Sequence, residues 1–144
     1  FKVDVEFENS GGVRSPLVAG DITRADIVAM DPFGNTVVLF KATGAQLKAL
    51  LARHAPYVSG LRYRLVDGTL EEATIGGAPI EDGRTYTAAT NSYFAGFALK
   101  EVAQEDTGRL RADVVTNYLR EKGTVTPAYD GRRVVIGRRN RSGG

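Results

Sequence analysis

The 144-residue sequence has no cysteine and no tryptophan, and it has only one histidine and one methionine. Without cysteine there is no disulfide and no thiolate metal site. That absence suits a reducing compartment and a disulfide-free bacterial exterior equally. A hydrolytic metal centre gathers several histidine and carboxylate ligands, and the lone His54 reads instead as a helix C-terminal residue that favours the dipole there. Serines fall in turns, with no nucleophile elbow and no histidine beside them, so Ser-His catalysis is not expected. No stretch approaches the ~18 consecutive apolar residues of a membrane span, and the N-terminus lacks a signal-peptide layout. The chain opens on Phe1, already inside a strand-like run. We therefore expect a piece of a longer polypeptide that continues upstream.

What is present fits a single globular domain with a proper core: 42 % hydrophobic and 25 % charged residues, without internal linker or short-period repeat. The net charge of +2 hides an asymmetry. Arg132, Arg133, Arg138, Arg139 and Arg141 lie in the last thirteen residues, and the remainder is near −3. Residues 138–144, ending in Ser142-Gly143-Gly144, read as a basic flexible tail in solvent and not as a nucleic-acid contact.

Apolar positions alternate at Phe1, Val3, Val5 and Phe7, the pattern of a half-buried strand. Thr23 is a plausible N-cap for a short helix burying Ile27, Val28 and Met30, closed at Asp31-Pro32. Thr36 to Ala42 reads as a strand. After Gly44, Leu47, Leu50 and Leu51 form a helical stripe, stopped by Pro56. Leu61–Leu65 alternates into a hairpin turn at Asp67-Gly68, and strands around 71–75 and 84–90 follow. Neighbouring Glu71 and Glu72 face opposite ways and read as solvated charges, not an acid/base pair. Residues 93–102 are apolar and loosely helical. A cleaner helix carries Val114, Val115, Tyr118 and Leu119, ended by Gly123, and Arg133–Ile136 is a last strand. Strands, hairpins and helices are mixed throughout, which predicts an α+β domain.

Two loops carry the chemistry. Asn9-Ser10-Gly11-Gly12-Val13-Arg14 places an amide, two glycines and an arginine directly after a strand. Glycines admit close backbone approach, and the guanidinium fork suits phosphate or carboxylate. Pro32-Phe33-Gly34-Asn35 sets an aromatic face beside an amide, equipment for holding a flat ring. A third stretch, Asn91-Ser92-Tyr93-Phe94-Ala95-Gly96-Phe97, offers rings that serve either as a second wall or as core.

These residues also carry a resemblance. The Asn9–Arg14 loop, Gly20-Asp21-Ile22-Thr23, Pro32-Phe33-Gly34-Asn35, Thr43-Gly44, Ser59-Gly60-Leu61-Arg62, Tyr86-Thr87-Ala88-Ala89-Thr90-Asn91 and Asp106-Thr107-Gly108 occur in the order seen in the C-terminal domain of 5′-nucleotidases. The match runs from about residue 3 to residue 137, so residues 1–137 resemble that domain as a whole.

The resemblance implies a four-layer αββα domain that binds substrate for a separate N-terminal metallophosphatase domain, where two divalent metal ions would reside. It implies that Phe33 and Tyr93 sandwich a nucleobase, and that Asn9, Gly11, Gly12 and Arg14 meet the substrate, with Arg14 on its phosphate side. Asn35 matches a residue at the base edge, and Gly60 matches a backbone contact to the base. A nucleotide or related phosphate ester is the expected partner, without nucleic acid and without a membrane span, in a periplasmic or extracellular location. The family follows its second aromatic with Gly-Gly-Asp-Gly-aromatic, whose aspartate holds the ribose hydroxyls. Here the chain reads Tyr93-Phe94-Ala95-Gly96-Phe97-Ala98, with no acidic residue before Glu101. That departure keeps two alternatives open: the same fold in a hydrolase for nucleotide-sugars, cyclic nucleotides or sulfur compounds, or a non-catalytic binding module.

Overall fold

The computed structural model describes residues 1–137; the expected basic tail at 138–144 lies outside them. In chain order the elements are β1 (Val5–Glu8), α1 (Arg24–Met30), β2 (Thr36–Thr43), α2 (Gly44–His54), β3 (Tyr57–Ser59), β4 (Leu61–Val66), β5 (Thr69–Ile75), β6 (Ala78–Pro79), β7 (Thr85–Asn91), α3 (Ser92–Ala98), β8 (Gln104–Leu110), α4 (Arg111–Lys122) and β9 (Arg133–Ile136). The strands form a five-stranded sheet in the order β3-β1-β7-β2-β8 and a four-stranded sheet in the order β6-β5-β4-β9. The domain is α+β, as its mixed pattern predicts.

One core joins the two sheets. Val5 and Phe7 from β1, Val38, Phe40 and Ala42 from β2, and Tyr86 and Ala88 from β7 meet Leu61, Tyr63 and Leu65 from β4. Each set sits at alternate positions, which is why the period-2 reading finds them. Leu47, Leu50 and Leu51 complete the same cluster from α2, and that helix touches β2 of one sheet and β5 of the other. Phe94 and Ala95 add the buried side of α3. By contrast, α1 and α4 pack against each other.

Local chemistry sets the boundaries. Thr23 and Asp26 form a capping box at α1, as do Thr43 and Gln46 at α2. Asp67 and Gly68, with φ of 49° and 82°, make the left-handed two-residue turn that a right-twisted β4–β5 hairpin needs. Gly123 follows α4, and its N–H bonds to Leu119 O.

Several expectations are corrected. Residues 1–4 lie outside β1. Gly60, with φ of 78°, turns the chain from β3 into β4, so β3 pairs only with residues 6–8. Asp4 instead holds Thr87 through both its backbone and its carboxylate. Val28 is 56 % exposed and Met30 only half-buried, because α1 rests on its Ile27 side alone. Strands β3, β6 and β8 escape the pattern reading. The first two are too short to show a period, and β8 is a polar, exposed edge strand with no apolar face to alternate. Arg132 and Arg133 are built into the fold and not into a tail: Arg132 pairs with Asp130 at 2.9 Å, and Arg133 donates to Ala55 O and lies over the Tyr57 ring.

Because α2 seals both sheets and Thr43 closes its first turn, Thr43→Ala should cost ~1 kcal/mol. Thermal unfolding should show it as a midpoint lower by roughly 3–6 °C for a chain of this size.

Candidate functional site

Topology brings the functional loops to one edge of the five-stranded sheet. Strands β1 and β7 run parallel, so their C-terminal ends, Glu8 and Asn91, lie together. Strand β2 is antiparallel to β7, with Val37 opposite Asn91, which places its start and the preceding Pro32–Asn35 loop at that same edge. Strand β8 is antiparallel to β2, with Leu110 opposite Thr36, so Arg111 arrives there as well. Loops converging at strand ends over a rigid sheet are a common location for binding sites.

A buried arginine ties these loops together. Arg111 is 8 % exposed. Its Nε donates to Asp31 Oδ2 at 2.7 Å, its Nη2 donates to Gly12 O at 2.6 Å, and Nη1 forms an ion pair with Glu8. Its backbone N–H donates to Asn35 O at 2.8 Å. One residue thereby holds the Asn9–Arg14 loop, the end of α1, the end of β1 and the residue before β2. Burial opposes the guanidinium charge, but hydrogen bonds to Asp31 and the charge of Glu8 outweigh it and raise the Arg111 pKa. Burial pushes the Glu8 carboxyl above its ordinary range, and the attraction of Arg111 only partly offsets this.

Asn91 extends the network. Its Oδ1 accepts the Phe94 N–H and caps α3. That fixes its amide nitrogen toward Glu8 Oε1 at 2.5 Å and Asn9 Oδ1 at 2.9 Å. Asn9 therefore faces inward as part of the scaffold. Gly12 is buried too, and a Cβ there would run into the Glu8 carboxylate. Its glycine is explained by packing against Glu8 and Arg111. Gly11 is exposed and sterically free to face a ligand.

Arg14 and Phe33, nineteen positions apart in sequence, are in contact. The Arg14 N–H donates to Met30 O at 2.9 Å, and its guanidinium sits 5.4 Å from the Phe33 ring centroid. Phe33 remains 45 % exposed. Two residues on, Asn35 Oδ1 accepts from Ser92 Oγ at 3.0 Å, and Ser92 Oγ accepts from Thr36 N at 3.1 Å. The next residue is Tyr93, 62 % exposed. The Phe33 loop and the Tyr93 helix are thus bonded side by side. Together the site gathers two exposed rings, one cation without a carboxylate partner among the described residues, and the amide of Asn35.

Gly60 stands apart. It follows Ser59, which pairs with Glu6, and packs against the Asp4 backbone at the opposite end of β1. About 13 Å of strand separates it from the Asn9 loop. Its positive φ and this close approach account for the glycine.

His54 is the last residue of α2, where the sequence places it, but its surroundings differ from a simple dipole partner. Its ring lies edge-on to Phe94 and Phe97, at 5.4 Å in each case. Burial and the charge of Arg53 lower its pKa. Glu71 is exposed and pairs with Arg64 at 3.1 Å, far from any acid/base role. Among the described residues no three His, Cys, Asp or Glu side chains form a group able to hold a metal ion.

The sequence reading misses Arg111 altogether. A cation in the first turn of a helix opposes the dipole, so its position at the start of α4 is the one signal that it serves carboxylates elsewhere.

Comparison with known proteins identifies the family and the fold. Residues 1–101 match the family model for the 5′-nucleotidase C-terminal domain. The chain belongs to that family. A curated relative, the NAD 5′-nucleotidase of Haemophilus influenzae, is 32 % identical over 118 residues, covering 65 % of this chain and 20 % of its own length. Among solved structures, the 5′-nucleotidase precursor of Thermus thermophilus superposes with a TM-score of 0.87 at 25 % identity, over 94 % of this chain and 32 % of that one. A sulfate thiohydrolase from Thermus thermophilus superposes at 0.69, also at 25 % identity, over 97 % of this chain and 30 % of its own. The chain spans about a fifth to a third of these family members. No helix among its described residues is long and apolar enough to cross a membrane.

Two outcomes follow. Arg111→Met leaves two carboxylates facing each other without a cation, and denaturant titration should register a loss of ~3–5 kcal/mol. Adding Glu8→Gln and Asp31→Asn to that variant should restore part of the loss. For His54, the folded-state pKa lies below the unfolded value of about 6.5. The unfolded chain therefore takes up the proton first as pH falls. The histidine contribution to stability should be full above pH 6.5 and decline below it, a slope that His54→Gln should abolish in unfolding midpoints measured across pH 7.5 to 5.5.

Proposed function

We propose that this chain is the substrate-binding domain of a 5′-nucleotidase-like metallophosphoesterase, holding a nucleotide or a related phosphate ester for hydrolysis elsewhere in the parent protein. The observation that carries the reading is the contact of Arg14 with the exposed Phe33 ring, whose loop is bonded through Asn35 and Ser92 to the helix carrying an exposed Tyr93. A flat heteroaromatic ring placed between Phe33 and Tyr93 gains stacking on both faces, and the Asn35 amide is at hand for its edge. The Arg14 fork, without a carboxylate partner among the described residues, suits the anionic group attached to that ring. Gly11, exposed and sterically open, belongs to the same loop as Arg14.

The division of labour rests on family membership. The family members it matches are several times longer. The metal-dependent step is assigned to a separate domain of the parent chain, an N-terminal metallophosphatase domain with two divalent ions. This domain binds, orients and releases; it does not cleave. By family membership the parent works in the periplasm or outside the cell. Gly60, placed at the far end of β1, is assigned a structural role.

A second reading is favoured by one observation. The residues after Tyr93 offer Gly96 and Phe97 where a sugar-holding acid would stand, and a sulfate thiohydrolase shares the fold. A parent acting on a different anionic ester is then the alternative.

Titration of the 144-residue chain with adenosine monophosphate, followed by NMR line positions, tests the primary reading. Phe33→Ala should weaken binding about tenfold, given ~1–3 kcal/mol for each base–aromatic stack. Unchanged affinity in this variant, with binding retained, removes the ring clamp.

A further inference from the structure

We propose that Phe97 is a specificity-determining residue: with Tyr93 it makes the second wall a corner of two rings, and this corner selects two-ring heterocycles over one-ring ones. The inference rests on the ring-clamp reading above and adds the class of ring.

Tyr93 and Phe97 are four residues apart on α3, so their side chains share one face of the helix. Their ring centroids are 5.3 Å apart with the planes at 69°. Both rings reach solvent, Tyr93 at 62 % and Phe97 at 39 %. Gly96, the residue before Phe97, is exposed and has nothing within 4 Å of where its Cβ would be. The two rings therefore meet at a steep angle on one exposed helix face, next to a bare backbone position.

The corner is held rigidly from behind. Phe97 packs edge-on against Phe94 at 5.2 Å and against His54 at 5.4 Å. Phe94 is fully buried in the core. An exposed aromatic that merely filled space would need no such backing on one side and no opening on the other.

The chemistry of the corner is apolar. Ser92 is bonded to Asn35 and to the Thr36 N–H, Gly96 has no side chain, and Phe97 offers only ring carbon. A ligand ring lying on Tyr93 and extending toward Phe97 is thus read by its area and edge. A purine stacked on Tyr93 presents the edge of its second ring to Phe97; the shorter pyrimidine reaches Phe97 less. Aromatic contacts of this kind are worth ~0.5–1.5 kcal/mol beyond area, so the expected preference is about fivefold.

The test titrates the full 144-residue chain, and its Phe97→Ala and Phe97→Leu variants, with adenosine monophosphate and cytidine monophosphate. Wild type should bind the purine nucleotide about fivefold more tightly. Phe97→Ala should bring that ratio close to one chiefly by weakening the purine, and Phe97→Leu should keep the fold while losing most of the ratio. Equal weakening of both nucleotides would mean that Phe97 only props Tyr93, and the specificity assignment is overturned with the clamp intact. An unchanged ratio overturns it too. If wild type binds neither nucleotide, the ring-clamp reading itself fails and takes this one with it.

Discussion

The buried charge of Arg111 is the constraint on which the site depends. A guanidinium removed from water at the edge of a sheet must be matched, and Glu8 and Asp31 match it. The match is not cheap. Burial raises the Glu8 pKa despite the adjacent cation, and Asp31 Oδ1 is buried without a hydrogen-bond partner among the described residues. A buried ion network of this kind adds little net stability over a well-packed apolar alternative. What it supplies is geometry. Three segments distant in sequence converge on one guanidinium, and that arrangement sets Gly12, Asp31 and Asn35 around a single residue.

This separation of charges also decides which arginine can serve a ligand. Arg111 is nearest the centre of the site, yet its donors are spent on Asp31, Glu8 and Gly12 O. Arg14 carries no such partners among the described residues and lies over an exposed ring, which keeps its side chain extended at low entropic cost. A cation on the rim is the one that an incoming anion meets first. The inner arginine positions, and under the proposed function the outer one binds.

How much of this was legible in the sequence depends on how local each feature is. The hairpin at Asp67-Gly68, the cap at Thr23, and the stripe of Leu47, Leu50 and Leu51 are each written within a few residues, and each appears where its pattern puts it. Strand β8 is invisible to the same reading because an edge strand exposed on both faces needs no alternation. The contact between Arg14 and Phe33 was readable only as two suggestive loops, since what joins them is sheet order. Strand pairing across 83 positions, as between Phe7 and Thr90, leaves no periodic trace. Asn9 and Gly12 were legible as important residues, but not as inward-facing ones. Their neighbours Glu8, Asn91 and Arg111 come from three separate strands and helices.

The two walls of the candidate clamp hang on different supports. Phe33 is placed by the polar network around Arg111, and Tyr93 by the aromatic stack of Phe97, Phe94 and His54. The gap between them is set where Asn35 meets Ser92, immediately beyond the Val37–Asn91 pair of the β2–β7 ladder. That ladder continues for seven residue pairs to Thr43 and Thr85. Slipping it by one residue would turn every core side chain of β2 outward, so the backbone ends that carry the two rings are pinned by register. In the proposed reading, a clamp whose supports are fixed by strand register is preorganised. Its selectivity then lies in the shape of the rings and not in their closure.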